Sequence, residues 1–483
     1  MHNKNPVNLL IFSGIGSADE QFHRTHMKSW RALGPSKVKR QLEQNGFTCQ
    51  IINFATVLSY KDLLKISEPF VDKKTIIGIS TTFLSGDYNS AKSYENLKNV
   101  VLTVKSKFKN KVLLGGPNPD SYKEQFSADF TLSGYSENTV VDLFNRIANN
   151  GIQRVPKKQW DILTCSHKWS DNDYIVRNET LPLEIGRGCI YSCKYCKFEM
   201  LGKKRGEYVR DMSLIRDELI ENHERWNTTN YMLMDDTFND DPYKIDEWCK
   251  MLDTLDFKIQ YTAYCRADLL YKYQDHARNL YLSGMVGSTL GIETLNLTAA
   301  KAIGKVWSGK HAREFVPKFV HEICEGKTLT QINFIMGLPG DTIADVWDWI
   351  KWAEDNKLPT LHAQPLIIRP PKLFPNDAIY SDFDKNAMTN YGYRIPRMSR
   401  PQMWENDNMS YFKARQEYKK VYKYVSEHFS DLAWHGFASL SLGYTVDDIL
   451  STTLDKLYSS EEYKDRSENF FKEYIGIANG TIV

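Results

Sequence analysis

No apolar run in this 483-residue sequence approaches the roughly 18 residues of a membrane-spanning helix. The first residues, Met1 to Pro6, are polar and pass straight into the strand-like Val7–Phe12. That leaves no basic and apolar segments of a secretory leader, so a cytoplasmic, reducing location is expected. Cysteine is sparse: eight residues are too few for a disulfide scaffold at this length. In a reducing compartment, closely spaced cysteines point to metal or redox chemistry instead. Charge of one sign is not in excess. The formal net charge is +2, and no Lys/Arg stripe stands out, so nucleic acid is not an expected partner. There is no internal repeat and no low-complexity tract. What remains is an ordinary globular composition, 42% hydrophobic and 25% charged. The length suggests about three domains at roughly 150 residues each.

The first 150 residues alternate between strand-like and helix-like stretches. Val7–Phe12, Cys49–Phe54, Thr75–Ser80, Lys111–Leu114 and Phe130–Leu132 read as strands, and Ser36–Gln44, Tyr94–Lys107 and Asn138–Ala148 as helices. Glycines close several of the strands. This alternation predicts an α/β class fold, opening with a doubly wound, Rossmann-like sheet over 1–150. Residues 151–180 are polar and read as a linker. A second α/β series over 181–375 supplies six strands: Leu181–Ile185, Tyr231–Met234, Ile259–Tyr264, Ser288–Ile292, Thr330–Met336 and Leu361–Ile368. Polar residues follow most of them, which predicts a partial (β/α)6 barrel rather than a closed eight-stranded one. Residues 376–483 read as a small, mostly α region, with helices over Met409–Phe429, Thr445–Tyr458 and Ser460–Tyr474.

The chemistry concentrates in Gly188-Cys189-Ile190-Tyr191-Ser192-Cys193-Lys194-Tyr195-Cys196. Three thiols within eight residues, in a loop after a strand, can converge on one centre. Thiolates select zinc or iron–sulfur. Structural zinc wants four ligands, and Cys165 and Cys249 belong to no paired motif. Cubane clusters also usually take four cysteines, so three would leave one iron open for a substrate. A zinc site completed by a distant Cys or His is the alternative on residues alone.

The triplet, spaced C-x3-C-x2-C with an aromatic before the last cysteine, resembles that of the radical S-adenosylmethionine (SAM) enzymes. The resemblance implies a [4Fe–4S] cluster on Cys189, Cys193 and Cys196, whose fourth iron takes the amino and carboxylate groups of SAM. One-electron reduction then breaks the C5′–S bond and leaves a 5′-deoxyadenosyl radical. An external one-electron donor, flavodoxin- or ferredoxin-like, is implied as a partner, together with a substrate the sequence does not name. Tyr195 stands at the aromatic position near the adenine.

Three further turns, and Arg266 between them, follow the family order. Asp235-Asp236-Thr237-Phe238 stands where relatives read the methionine amino group, with Asp236 the better candidate; a helix cap is the plain alternative. Arg266 is a candidate for the cofactor carboxylate or ribose, against an ion pair with Asp268. Gly291-Ile292-Glu293-Thr294 resembles the family's G-I-E-S turn and makes Glu293 a ribose or amino contact, against a supporting role. Gly337-Leu338-Pro339-Gly340-Asp341-Thr342 resembles G-L-P-G-E-T, where Gly337 and Pro339 would let backbone approach the adenine; an ordinary turn explains the same glycines. The P-G-T turn of relatives is missing at Arg369–Phe374.

In the first domain, Gly115-Gly116-Pro117 and Ser133-Gly134-Tyr135-Ser136-Glu137 resemble the G-G-P and G-E-G-E turns of cobalamin-binding domains. Gly115, Gly116, Gly134 and Glu137 are therefore candidate cobalamin contacts. The D-x-H-x-x-G of histidine-ligated domains is absent: the matching stretch is Ser13–Ala18, and His23 and His26 lack the spacing. A sheet serving only as scaffold is the alternative. With cobalamin, the expected reaction is methylation of an unactivated carbon or a phosphinate phosphorus. Without it, rearrangement, oxidation or C–C bond formation is expected, and an inactive fold used as a binding module is the remote third reading. Tyr411, Phe412, Tyr418, Tyr422, Tyr424, Trp434 and Phe437 are expected to pack helices over the barrel mouth.

Overall fold

A computed structural model describes residues 5–14, 29–82, 84, 94–117, 119–149, 160–197, 208–305, 307, 309–373, 380–395, 403–430 and 438–482. Most of Ser13–Ala18, His23, His26, Asn118, Phe374, Trp434 and Phe437 lie outside these residues. The chain divides into two compact units: Met1–Pro182 with Asp217–Thr228 and Glu461–Val483, and Leu183–Arg216 with Thr229–Ser460.

The first unit is built on five short strands, β1 (Leu9–Phe12), β2 (Cys49–Ile52), β3 (Ile76–Ser80), β4 (Val112–Gly116) and β5 (Phe130–Ser133). They pair in the order β2-β1-β3-β4-β5, parallel throughout. β1 and β2 are buried at every position, as apolar parallel strands covered on both faces must be. One face carries α1 (Leu33–Gln44) and α4 (Glu137–Ala148), whose Leu42, Val140, Val141 and Phe144 share a core with Leu9, Ile11, Ile51 and Leu113. The order reverses between β1 and β3, the place where doubly wound sheets bind ligands at their carboxyl ends. α2 (Tyr60–Ser67), a helix the sequence reading omits, starts where Ser59 Oγ accepts the Asp62 amide. α3 (Glu95–Phe108) completes the set.

Two distant segments complete this unit. The terminal helix Glu461–Asn479 sets Tyr474 against Phe54, ring centroids 5.0 Å apart, and Tyr474 Oη accepts the Asn53 amide. Arg31, just before α1, is fully buried and forks onto Glu179, Nε to Oε1 at 2.7 Å and Nη2 to Oε2 at 2.8 Å. Its Nη1 also donates to the Asp173 carbonyl at 2.7 Å. Five donors in a fixed plane suit this task, which a lysine would not replicate.

The remaining strands are β6 (Leu181–Leu183), which ends where the second unit begins, and, within that unit, β7 (Asn230–Leu233), β8 (Gln260–Cys265), β9 (Met285–Glu293), β10 (Leu329–Met336) and β11 (Thr360–Pro365). These form one six-stranded sheet in sequential order, β7 to β11 pairing parallel. Helices fill the connections, so the architecture is a partial β/α barrel. After β11 come Asp382–Asn390, Tyr411–His428, Val446–Leu450 and Leu454–Ser459. The continuous helix expected over Thr445–Tyr458 is two helices: Thr445 caps the first through Asp448, and Ser451–Thr453 interrupts before the second. No helix among the described residues is long and apolar enough to cross a membrane.

Arg31→Met leaves Glu179 charged and buried, and should cost about 3–5 kcal/mol. Arg31→Met with Glu179→Leu removes both charges and should recover most of the loss. Urea unfolding of the three chains measures this. A cost for the single variant under about 1 kcal/mol would show that the fork does not hold the segment.

Candidate functional site

The cysteine loop leaves β6 and is held by the turn that follows β7. Met234 N donates to Leu183 O at 2.7 Å, which brings Asp235 and Asp236 beside the departing chain. Asp235 Oδ1 accepts the amides of Ile185 and Gly186 at 2.8 and 3.0 Å. Asp236 Oδ2 accepts that of Gly188 at 3.1 Å, one residue before the first thiol. Gly188 has a φ of +106°, a conformation that favours glycine. The buried Lys244 ammonium balances the acids, 3.3 Å from Asp235 Oδ2 and 2.6 Å from Asp240 Oδ1. Asp235 and Asp236 thus bind the backbone of the cysteine loop itself. Burial, together with the Asp235 charge, pushes the Asp236 carboxyl up to about 6.

The loop then turns, Cys196 N donating to Cys193 O at 3.0 Å. Cys189 is buried and its Sγ lies 3.4 Å from Thr237 Oγ1; Cys193 and Cys196 are half-buried. The eight cysteines form no disulfide. Among the described residues, no group of three or more Cys, His, Asp or Glu side chains is drawn together as a metal cage. The triplet shares one loop at the carboxyl edge of the sheet without its sulfurs being gathered to a point. The donor set nevertheless fits an iron–sulfur cluster in kind: three thiols, half-exposed in part, on a backbone fixed from outside.

Arg266, after β8, faces this loop. Its guanidinium forks onto Asp268, Nη2 to Oδ2 at 2.7 Å, and covers the Tyr191 ring at 4.0 Å. Nη1 reaches Cys193 Sγ at 3.5 Å. The Asp268 pair read from the sequence is therefore present, and the same cation also meets a thiol. Its backbone is fixed by Asn239, whose amide group exchanges two hydrogen bonds with it.

Glu293 ends β9 with a φ of +69°, an uncommon conformation for glutamate. Its Oε1 accepts from Tyr195 Oη at 2.7 Å and faces Lys305 Nζ at 3.2 Å. Lys305 Nζ also donates to Gly291 O. Tyr195 and Glu293 are thus joined, and burial with the glutamate charge raises the Tyr195 phenol well above its ordinary range. Lys305, buried and in no motif, is missed by the sequence reading; only the chain's return past the Glu293 turn reveals it.

The turn after β10 is bracketed by later residues. Gly337, at φ +93°, has no room for a side chain: a Cβ would stand 2.1 Å from Trp404 Cη2. Its carbonyl accepts from Tyr393 Oη at 2.7 Å and Asn406 Nδ2 at 3.2 Å. The close approach this glycine permits is that of an indole. Pro339 is half-buried beside it. Asp341 Oδ1 accepts from Thr294 Oγ1 at 2.8 Å, lacing this turn to the one after β9. Its buried Oδ2 has no partner among the described residues, and burial pushes the carboxyl up to about 8.

In the first unit, Gly115, Gly116, Gly134 and Glu137 gather at the carboxyl edge of the sheet. Gly134 N donates to Gly116 O at 2.9 Å, and Gly116 and Gly134 take φ of +140° and +72°. A Cβ on Gly115 would meet nothing within 4 Å. Glu137 opens α4 and is buried.

Residues 183–353 match the radical SAM superfamily. Among solved structures, the chain aligns with TsrM from Kitasatospora setae, a radical S-adenosylmethionine methyltransferase held with tryptophan and a SAM analogue. The TM-score is 0.61 at 14% identity, over 96% of this chain and 99% of that one. A TsrM structure with cobalamin and a [4Fe-4S] cluster gives 0.58 at 15%, over 97% and 99%. OxsB, a cobalamin-dependent SAM radical enzyme, gives 0.53 at 16%, over 72% of this chain and 52% of OxsB, so the chain spans about half of that protein. At these identities the likeness is one of fold. No curated protein matches in sequence.

Asp341 supplies a pH test. Folded, its carboxyl keeps a proton up to about pH 8; unfolded, it loses that proton near pH 4. Between these values the folded chain binds the extra proton, so this group makes stability fall as pH rises, with no further change above about 8. Asp341→Asn keeps an acceptor for Thr294 and removes the titration. Urea unfolding at pH 5 and pH 8.5 should show the variant gaining on the parent by on the order of 4 kcal/mol at the higher pH. Parallel profiles would refute the burial account.

Proposed function

We propose that this chain, whose residues 183–353 match the radical SAM superfamily, holds a [4Fe–4S] cluster on Cys189, Cys193 and Cys196 and cleaves SAM for cobalamin-dependent methylation of an unactivated carbon. The observation that carries the first half is the cysteine loop, held by Asp235 and Asp236 at the carboxyl edge of a six-stranded barrel sheet. When bound, such a cluster supplies one electron to the SAM sulfonium, which yields a 5′-deoxyadenosyl radical. The chain's own residues prepare the site. Asp235 and Asp236 set the path of Gly186–Gly188, so the thiols start from a fixed backbone. Arg266 brings a permanent cation to within 3.5 Å of the Cys193 sulfur. Tyr195 walls the loop with an aromatic ring and donates its hydroxyl proton in a hydrogen bond to the Glu293 carboxylate. Asp236, its carboxyl raised to about 6 by burial and the Asp235 charge and so still mostly ionised at neutrality, is the carboxylate available to a cofactor ammonium.

The second half is supported by the first unit's sheet order and its side-chain-free edge at Gly115, Gly116 and Gly134. The missing D-x-H-x-x-G favours a second reading: cobalamin-independent rearrangement, oxidation or C–C bond formation. In either case an external one-electron donor and a reducing, cytoplasmic setting are part of the proposal.

Anaerobic reconstitution should give about four irons per chain, and dithionite with SAM should give 5′-deoxyadenosine that Cys193→Ala abolishes. Stoichiometric zinc, or undiminished product from the variant, would sink the cluster assignment. Hydroxocobalamin should bind the intact chain saturably, and Gly115→Leu, which enters open space, should weaken it at least tenfold. Saturable binding unaffected by that variant would remove cobalamin from this edge, and no binding at all would leave the second reading.

A further inference from the structure

Within the first unit, α1 turns one face toward residues 167–173, which follow α4 in the chain. Ser36, Lys39, Arg40 and Glu43 share that face at helical spacing. Opposite them stand Lys168, Ser170, Asp173 and Glu221. The segment runs beside the edge strand β2, where Gln50 Nε2 donates to Asn172 O at 2.7 Å. Between the two walls lies a cavity of about 230 Å³. All of these residues belong to the first unit. A polar cavity of this size has room for more than one water molecule.

The walls are uneven in what they still need. Asp173 is satisfied: Lys39 Nζ lies 2.7 Å from Oδ1, and Ser170 N and Oγ donate to Oδ2 at 2.7 and 2.9 Å. Glu221 receives Lys168 at 2.8 Å and Arg225 at 3.1 Å. The donors are not all satisfied. Ser36 is 4% exposed, and its hydroxyl has no partner among the described residues. Arg40 Nε is buried and likewise has none. Glu43, the one acid beside Arg40, is held above the usual carboxylate range by burial, which makes it a poor counter-ion there. Buried donors without acceptors are rare and costly. The ligand that completes such a wall brings oxygen acceptors and negative charge.

We propose that this cavity binds a small oxyanion, a phosphate or a carboxylate, through the Ser36 hydroxyl and the Arg40 guanidinium. Lys39 and Lys168 line the same cavity, each paired with an acid, Asp173 and Glu221, which leaves Arg40, among the described residues that line it, as the cation free to take the ligand. Arginine suits the task because its planar fork matches both oxyanions. Nothing in the radical chemistry uses these residues, so the site stands or falls separately from it.

Isothermal titration of the full-length chain with inorganic phosphate, and separately with malonate, tests this. One-to-one saturable binding of either is expected, and the tighter of the two identifies the oxyanion class. Arg40→Met should weaken it at least tenfold, the loss expected for one charge-assisted hydrogen bond. Ser36→Ala, which removes one oxygen from a helix surface, should weaken it about threefold or more and keeps the test valid if Arg40→Met does not fold. Cys193→Ala should bind like the parent. The proposal is overturned if neither anion saturates, or if Ser36→Ala and the folded Arg40 variant bind as the parent does.

Discussion

Asp235 carries two backbone amides on one carboxylate oxygen and faces a buried ammonium with the other, and the second unit's chemistry is arranged around that arrangement. A carboxylate buried this deeply resists ionisation, and desolvation raises its pKa despite Lys244. The network persists because every member removes another's cost: Lys244 would be unstable without Asp235 and Asp240, and the amides of Ile185 and Gly186 have left the strand ladder and need an acceptor. The consequence is mechanical. The chain departing β6 cannot drift, so the loop carrying Cys189 begins from a defined direction. Asp236 extends the hold by two residues, to Gly188.

The same logic recurs around the sheet edge with different groups. Glu293 is gripped by Tyr195 and Lys305, Asp341 by Thr294, and the Gly337 carbonyl by Tyr393 and Asn406. Each turn after a strand is fixed by a residue from another turn or from the C-terminal segment. Polar residues at strand ends therefore divide between those that a ligand can reach and those consumed in holding the rest. Asp235 belongs to the second kind. Asp236 makes one backbone bond and, with its carboxyl at about 6, is mostly ionised at neutrality, so it retains capacity for a cation. Arg266 does both, forking onto Asp268 while presenting a third nitrogen to Cys193.

Local signals explain what the sequence made legible. The β-branched run of β3 is a buried parallel strand, and the alternation of strand-like and helix-like stretches, with glycines or polar residues at strand ends, makes both series legible. The Cys189–Cys196 spacing lies within one loop, as do Asp235–Asp236 and Gly337–Asp341, so all were visible as short motifs. Lys305, Trp404 and Tyr393 were not, because their roles depend on long-range returns of the chain that no local pattern encodes. Gly337 illustrates the difference. The sequence marks a glycine whose backbone something must approach, but cannot say that a tryptophan 67 positions later is what approaches it. The break at Ser451–Thr453 was missed for the opposite reason: two capping threonines, Thr445 and Thr453, lie within one amphipathic stretch, and the second cap is weak, with no side-chain hydrogen bond.

The first unit's sheet divides between a buried core and an edge with few side chains. β1 and β2 are buried along their whole length, whereas β4 loses burial at Gly115 and Gly116 and β5 is only partly buried or exposed throughout. The apolar ends make the core; the glycine ends leave a surface without side chains, where Gly134 N closes onto Gly116 O. A bulky residue at Gly116 would force a φ of +140° on an L side chain and strike Thr81 Oγ1 at 2.5 Å. Gly115 is under no such constraint, since nothing stands within 4 Å of a Cβ there. The backbone thus accounts for one glycine of the pair and not the other. An extended flat ligand against the edge, as proposed for cobalamin, gives the second glycine its reason, and that is why Gly115 rather than Gly116 separates scaffold from site.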